Sequence, residues 1–252
     1  MIVYKSRREI DLMLHAGQVL ARLFERIEPL LEAGRTTGEI DRLVHEWMLA
    51  EDCRPSFLGY RGFPAVSCIS VNEEVVHGIP GARRLCDRDL VTVDLGVIWH
   101  GYHADAARTF GVGSLSEEAG RLRDATARSL DLGIEKVQLG GKLSEVGQAV
   151  QEYAEGLGYS VVKEYVGHGI GRDLHEDPQV PNYVDATRRR RDQLLKKGLV
   201  IAVEPMLNVG TDEVEVLDDE WTVVTRDRQL SSHFEDTIAL TEDGPLVLTR
   251  PR

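Results

Sequence analysis

Apolar positions in this chain follow two periods, and the change from one to the other marks out its elements. Behind Ser6-x-x-Glu9, a capping box, Ile10, Leu14, Leu20, Phe24, Ile27 and Leu31 recur at roughly helical spacing and predict a long amphipathic helix that ends near Gly34. Thr36-x-x-Glu39 opens a second helix, with Ile40, Leu43, Val44, Trp47 and Met48 as its buried stripe. Arg54 to Pro80 is rich in Gly, Pro and aromatics, with a short strand at Val66 to Val71, and Leu90 to Phe110 has the β-branched content of paired strands. The second half repeats the plan. It predicts helices at about Ser116 to Val137 and Ser144 to Gly156, strand-like Ser160 to Tyr165, then Leu199 to Glu204, and a final strand pair near Trp221 to Arg226 and Phe234 to Leu240.

The repetition is legible in the letters. Gly34-x4-Glu39-Ile40-x3-Val44-x-Glu46-Trp47 matches Gly140-x4-Glu145-Val146-x3-Val150-x-Glu152-Tyr153 at a constant offset of 106. His77-Gly-Ile-Pro80 answers His175-Glu-Asp-Pro178, and Leu90-Val-Thr-Val-Asp94 answers Val200-Ile-Ala-Val-Glu204. One domain over 1–252, built from duplicated halves of about 1–112 and 113–252 around a pseudo-twofold axis, is the organisation this predicts. Asp94 and Glu204, and likewise His77 and His175, would then approach that axis from opposite sides.

Polar residues inside the apolar runs carry the chemistry. Asp94 and Asp105 sit in the Leu90–Phe110 stretch, and a tight turn centred between Trp99 and His100 would put them directly opposite one another. Cross-strand neighbours lie about 4.5–5.5 Å apart, so two ionised carboxylates there repel unless one is protonated or a cation lies between them. A metal ion satisfies that demand. The competing reading has one Asp cap the turn while the other pairs with Arg108. In the second half, His168 in GHGIGRDLHEDP, Glu204 in AVEPM and Glu235 in HFEDT complete a set of four carboxylates and one imidazole suited to divalent cations.

Composition narrows the classes without naming the chemistry. A formal net charge of −12 argues against a general nucleic-acid binder. Three cysteines, Cys53, Cys68 and Cys86, lack CxxC spacing and suggest neither a disulfide framework nor a structural zinc site, which fits a reducing cytoplasm. The N-terminus lacks a signal-peptide core and no stretch approaches 18 consecutive apolar residues, so neither secretion nor membrane insertion is expected. Nothing specifies a dimer, and a monomer is expected.

The stretches SCISVNEEVVHGIP, VDLG with ADAARTF, GHGIGRDLHEDP, AVEPM and EWTVVTRDRQLSSHFEDT resemble those of type I methionine aminopeptidases, and the resemblance covers nearly the whole chain. It implies an α+β pita-bread fold: two pseudo-symmetric halves, a central antiparallel curved sheet and helices on the outer face. The implied function is metal-dependent removal of the initiator methionine from nascent proteins and peptides when the second residue is small. Two divalent ions, drawn from Co, Mn, Fe or Zn, are implied. By that resemblance Asp94 chelates one, Asp105 and Glu235 bridge both, and His168 and Glu204 complete the shell of the other, Glu204 also moving protons. His175 would donate to the carbonyl oxygen, and His77 would contact the first peptide nitrogen or the leaving amine.

The resemblance also implies a methionine pocket of Phe57, Tyr60, Phe63, Cys68, Leu174 and Trp221, and a Na or K ion near Asn72, the Glu74 carbonyl and Ser231. Phe57 stands where a Cys is frequent, Leu174 where an aromatic is frequent, and Asp236 where a His usually follows the bridging Glu. Glu-Asp-Thr also occurs in Xaa-Pro dipeptidases of the same fold, which keeps that substrate class as the alternative, although those enzymes carry a sizeable N-terminal domain that a chain of this length cannot hold. A non-catalytic binding module of the same fold is the other alternative, and the five intact ligand positions favour the enzyme. The basic run Arg188 to Arg191 reads as a solvated face or as a transient contact to ribosomal RNA.

Overall fold

The structure, a computed structural model, describes residues 1–184 and 192–252, so Arg188–Arg191 and the ribosome contact expected of them lie outside the described residues. Among the described residues there are four α-helices: α1 (Arg7–Ile27), α2 (Thr37–Ala50), α3 (Glu117–Glu135) and α4 (Leu143–Gly156). Five strands precede α3: β1 (Arg54–Pro55), β2 (Ser67–Val71), β3 (Glu74–Val76), β4 (Leu90–Trp99) and β5 (Tyr102–Gly111). After α4 come β6 (Ser160–Val161), β7 (Gly167–Gly169), β8 (Glu176–Val180), β9 (Val200–Val203) and β10 (Met206–Asn208). The last five are β11 (Val214–Val216), β12 (Val223–Thr225), β13 (Ser231–His233), β14 (Asp236–Thr241) and β15 (Gly244–Val247). No helix among the described residues is long and apolar enough to cross a membrane.

Both expected capping boxes form. The Ser6 and Thr36 hydroxyls accept from the amides of Glu9 and Glu39, whose carboxylates accept in return from the Ser6 and Thr36 amides at 2.8 Å each. Each box satisfies two backbone donors that the first helical turn leaves orphaned, typically worth about 1 kcal/mol per cap. The α1 helix stops at Ile27, earlier than Gly34, and a single 3-10 turn, Glu28–Leu30, follows. Pro29 accounts for the difference, because it has no N–H to continue the ladder and disfavours helical geometry in the residue before it. The stretch at Ser160 shortens to two strand residues, with only Ser160 and Val161 pairing onto β10.

Among the described residues all strand pairs are antiparallel, in four hydrogen-bonded sheets: β1-β4-β2 with β5 on β4, β13-β10-β6, β11-β12-β3, and β15-β14-β9-β7-β8. Helices α1 and α2 bury Leu20, Leu23, Ile27, Ile40 and Met48 against β2, β4 and β5. On the other side Leu130, Ile134, Val146 and Leu143 cover Ile201, Val203, Ile238 and Leu240 of β9 and β14. The first and second parts of the chain join where β3 pairs β12 and where Ala107 of β5 bridges Glu235 just ahead of β14.

The β4–β5 hairpin departs from its expected register by two residues. Trp99 pairs Tyr102, so the turn is His100-Gly101, and Asp94 lies opposite Ala107 while Asp105 lies opposite Gly96. Both turn residues have positive φ, +48° at His100 and +81° at Gly101. That is the condition of a two-residue turn matched to strand twist, and bulky Trp99 is a poor occupant of such a position. Because side chains alternate with period two, a slip of two leaves both acids on the same face. They become diagonal rather than direct neighbours, a spacing of about 7–8 Å at the backbone that leaves room for something between them.

The alternative in which Arg108 neutralises one of the hairpin acids is also corrected. Arg108 Nη2 donates to Asp236 Oδ1 at 2.5 Å and Nη1 donates to the carbonyl oxygens of Ala107 and Glu235. Asp236 is fully buried and accepts additionally from Thr249 Oγ1 and Arg250 Nε, each at 2.7 Å. The guanidinium therefore ties β5 to the start of β14 and leaves Asp94 and Asp105 unneutralised. Replacing Arg108 by Met removes one of the two guanidinium partners of buried Asp236 and leaves Arg250 in place, so urea unfolding should show a loss of about 2 kcal/mol; a loss below about 0.5 kcal/mol would mean that the strut is unimportant.

Candidate metal centre

Each acidic side chain arrives on a different backbone device. Asp94 sits in the middle of β4, and Asp105 in β5 is locked by Thr237, whose hydroxyl accepts from the Asp105 amide at 3.0 Å and donates to its carbonyl at 2.7 Å. Glu235 lies between β13 and β14, its backbone amide and carbonyl both bonded to Ala107. Glu204 directly follows β9, and Pro205 after it cannot extend the ladder. His168 is flanked by Gly167 and Gly169 in β7, where a Cβ would lie 2.4 Å from the Ala202 carbonyl oxygen and 2.2 Å from that of Asp177. Only glycine lets this strand thread between its neighbours with His168 pointing out.

Together these residues make a cluster with unused acceptors. Ligand atoms of Asp105, His168 and Glu235 lie within 4.8 Å of one another, and His168 Nε2 is 3.6 Å from Glu204 Oε1. One oxygen each of Asp94, Asp105 and Glu235 is buried with no hydrogen-bond partner among the described residues. Orphaned buried carboxylate oxygens are costly, and three such carboxylates lining one cavity beside an imidazole fit hard-to-borderline divalent cations.

Protonation behaviour reports the same crowding. Burial pushes the Asp94 pKa up to about 7, opposed by its hydrogen bond with Asp105. Burial and the Asp94 charge push Glu204 up to about 8. Asp105 and Glu235 are raised well above the ordinary carboxylate range, by burial first and then by the neighbouring acids. His168 is lowered, chiefly by burial, although its hydrogen bond to the Gly169 carbonyl works the other way. Without a cation such a cluster prefers neutral acids and a neutral imidazole, whereas a bound cation would favour the ionised carboxylates.

The cluster forms the floor of a cavity of about 180 Å³ whose walls include Phe57, Tyr60, Phe63, Cys68, Leu174 and Trp221, all six residues expected of the pocket. Phe63 and Trp221 meet edge to face at 5.1 Å. His77 and His175 line the same cavity. His77, at a positive φ of +60° directly after β3, stands edge-on to Tyr165 and Trp221, and burial lowers its pKa to about 4. His175 stacks on Tyr60, its Nδ1 2.9 Å from the Tyr60 hydroxyl, with its ring centre 4.1 Å from that of His168. Lost hydration and the nearby His168 push its pKa down, and because His175 keeps an exposed edge at the rim, water limits that shift.

Asn72, Glu74 and Ser231 also come together, away from this cavity. The Ser231 amide donates to the Asn72 carbonyl at 2.9 Å, while the Glu74 carboxylate is engaged by Arg83 and the Val71 amide, leaving backbone carbonyls as the acceptors there. Asp236 does not reach the cavity, its carboxylate being turned toward Arg108 and Arg250.

His233 is the wall residue that sequence reasoning passed over. It is 1% exposed, and neither ring nitrogen has a partner among the described residues. Its position two before Glu235, in an extended segment where alternate residues share a face, was the available signal. Tyr165 and Val166, from a loop without periodicity, and Arg61, from the 3-10 turn Tyr60–Gly62, join the lining as well.

Residues 11–242 match metallopeptidase family M24. A methionine aminopeptidase of Clostridium perfringens is 47% identical over 249 residues, covering 99% of each chain, and one of Bacillus subtilis is 44% identical over 250 residues, covering 99% of this chain and 100% of its own. Among solved structures, a methionine aminopeptidase from Rickettsia prowazekii superposes with a TM-score of 0.95 at 37% identity, covering 99% of this chain and 100% of that one. Sequence and architecture agree over the full length, and the chain belongs to metallopeptidase family M24, with its pita-bread fold.

Proposed function

We propose that this chain is a methionine aminopeptidase that removes the initiator methionine from nascent proteins and peptides when the second residue is small. The observation that carries the reading is a buried Asp105–His168–Glu235 cluster, its ligand atoms within 4.8 Å, at the foot of a small apolar cavity. In this reading Asp94, Asp105, His168, Glu204 and Glu235 would hold the divalent ions. Two divalent ions in such a site, Co, Mn, Fe or Zn, supply Lewis acidity and a water acidic enough to ionise near neutrality.

The chain's own groups do the rest. Phe57, Phe63, Cys68, Leu174 and Trp221 present a soft, apolar, polarizable surface that accepts an unbranched thioether. In this reading Glu204, which lines the cavity beside His168, takes and returns a proton. When the Tyr60 hydroxyl donates to His175 Nδ1, the remaining proton sits on Nε2, and the imidazole aims a donor at the carbonyl oxygen as charge develops there. His77, neutral at physiological pH, contacts the peptide nitrogen or leaving amine. The three cysteines are free, in keeping with a cytoplasmic enzyme. The halves 1–112 and 113–252 are read as a duplication, and the carbonyls around Asn72, Glu74 and Ser231 as a monovalent-cation site.

Metal-reconstituted protein should release methionine from Met-Ala-Ser and leave Ala-Pro intact, and Asp105→Ala should abolish the release. Ala-Pro cleavage alone would move the substrate class to proline dipeptides, and no turnover with any divalent metal would make the chain a binding module. His175→Ala should lower kcat by about 10²–10³ with little change in KM, the loss typical of one donor aimed at an oxyanion.

The pKa shifts also predict a pH dependence for the metal-free protein. Asp94 and Glu204 titrate at about 7 and 8 when folded, against roughly 4 unfolded, so the stability they give below pH 4 is lost as pH rises through 7 to 8. His77 and His168 act at lower pH, where their depressed folded values remove stability only below about 6.5. From pH 6.5 to 9 the Tm of metal-free protein should therefore fall, and saturating Mn2+ should abolish most of the slope. A flat metal-free profile would contradict the crowded, protonated cluster.

A further inference from the structure

His175 and Leu174 sit on a short loop between β7 and β8, and what fastens that loop comes from Lys5, 171 positions before Glu176 in the sequence. Glu176, the next residue after His175, is a three-way acceptor. Its Oε1 accepts from the backbone amides of Arg172 and Asp173 at 2.9 and 3.3 Å, and its Oε2 accepts from Lys5 Nζ at 2.5 Å. The Lys5 side chain is 3% exposed and that of Glu176 10% exposed, so this is a buried ion pair rather than a surface contact. Lys5 Nζ donates also to the Val3 carbonyl at 3.1 Å.

The segment that delivers Lys5 is itself held. Its amide donates to the Gly198 carbonyl at 2.7 Å, and Ser6 immediately after it caps α1. Two glycines make room for the strap. A Cβ on Gly171 would lie 2.5 Å from Lys5 Cε and 2.9 Å from Nζ, and one on Gly198 would lie 2.6 Å from the Lys5 carbonyl oxygen. The Gly171 carbonyl accepts from the His103 amide of β5 at 2.8 Å, which closes the far side of the loop. The N-terminal ammonium also meets Asp177, but those groups are exposed and such a pair contributes little.

His175 is an exposed residue whose ring is held by the Tyr60 hydroxyl and by stacking, so the place of its imidazole depends on where the loop backbone sits. We infer that Lys5 is a positioning residue: acting through Glu176, the N-terminal strap sets the loop that presents His175 and Leu174 to the cavity. The inference rests on the role given to His175 under the proposed function. Removing Lys5 leaves the Glu176 carboxylate buried without its cation, and the loop relaxes to hydrate it. Misplacement of a catalytic donor by about 1 Å costs on the order of 10²-fold in rate.

The test uses the full-length holoenzyme with Lys5→Ala, which deletes the atoms that n-propylammonium replaces. With Met-Ala-Ser as substrate, kcat should fall about 10- to 100-fold while KM changes little. Propylammonium should restore much of the rate, and tetramethylammonium at equal ionic strength should not. The double variant Lys5→Met/Glu176→Gln, which removes both charges, should be more active than Lys5→Met alone. An activity-independent reading comes from NMR of the metal-free protein: the His175 ring resonances should move in Lys5→Ala and return with propylammonium. Wild-type kcat in a folded Lys5→Ala, unmoved His175 resonances, or loss of folding in both Lys5 variants would overturn the positioning role. Failure of the wild-type holoenzyme to release methionine would instead remove the proposed function, and the NMR reading would stand apart from it.

Discussion

Four carboxylates meeting in one buried place is the constraint on which the rest of this structure depends. Burial pushes up the pKa of Asp94, Asp105, Glu204 and Glu235, the Asp94 charge adds to the rise at the other three, and Asp94, Asp105 and Glu235 each leave an oxygen with no hydrogen-bond partner among the described residues. Left ionised and uncompensated, such a group would drive its own elements apart. The surrounding scaffold is therefore built to resist that force at the backbone. Thr237 grips Asp105 through both amide and carbonyl, Ala107 and Glu235 exchange two backbone hydrogen bonds, and Arg108 clamps the same junction from behind.

Compensation and specificity are separated in space. Charge is concentrated at the cavity floor, while the walls, Arg61 and the histidines apart, are apolar or aromatic, so under the proposed function a substrate side chain is selected by fit without disturbing the charged groups. The histidines stand between the two zones. His77 and His175 are neutral by virtue of lost hydration, which suits them to donate or accept a single hydrogen bond rather than to add another charge.

Much of this was legible in the letters, and the failures have physical reasons. Capping boxes located α1 and α2, and all eleven residues expected in the metal site and pocket, with both histidines, line one cavity. The hairpin register was misplaced by two because apolar periodicity carries parity but not position, while the turn that fixes position depends on positive φ at His100 and Gly101. Arg108 was matched with the wrong acid because Asp236 is close to it only in space. His233 and Lys5 escaped because a histidine in a strand and a lysine near a terminus look ordinary until burial is known.

Divalent-metal stoichiometry after equilibrium dialysis at neutral pH, measured by elemental analysis on the wild-type chain and on Asp105→Asn, tests the central claim most directly. The account predicts two ions bound per wild-type chain, with protons released as the carboxylates ionise, and at most one ion in the variant. A wild-type chain that retains no ion, or a variant that retains as many as the wild type, would contradict it.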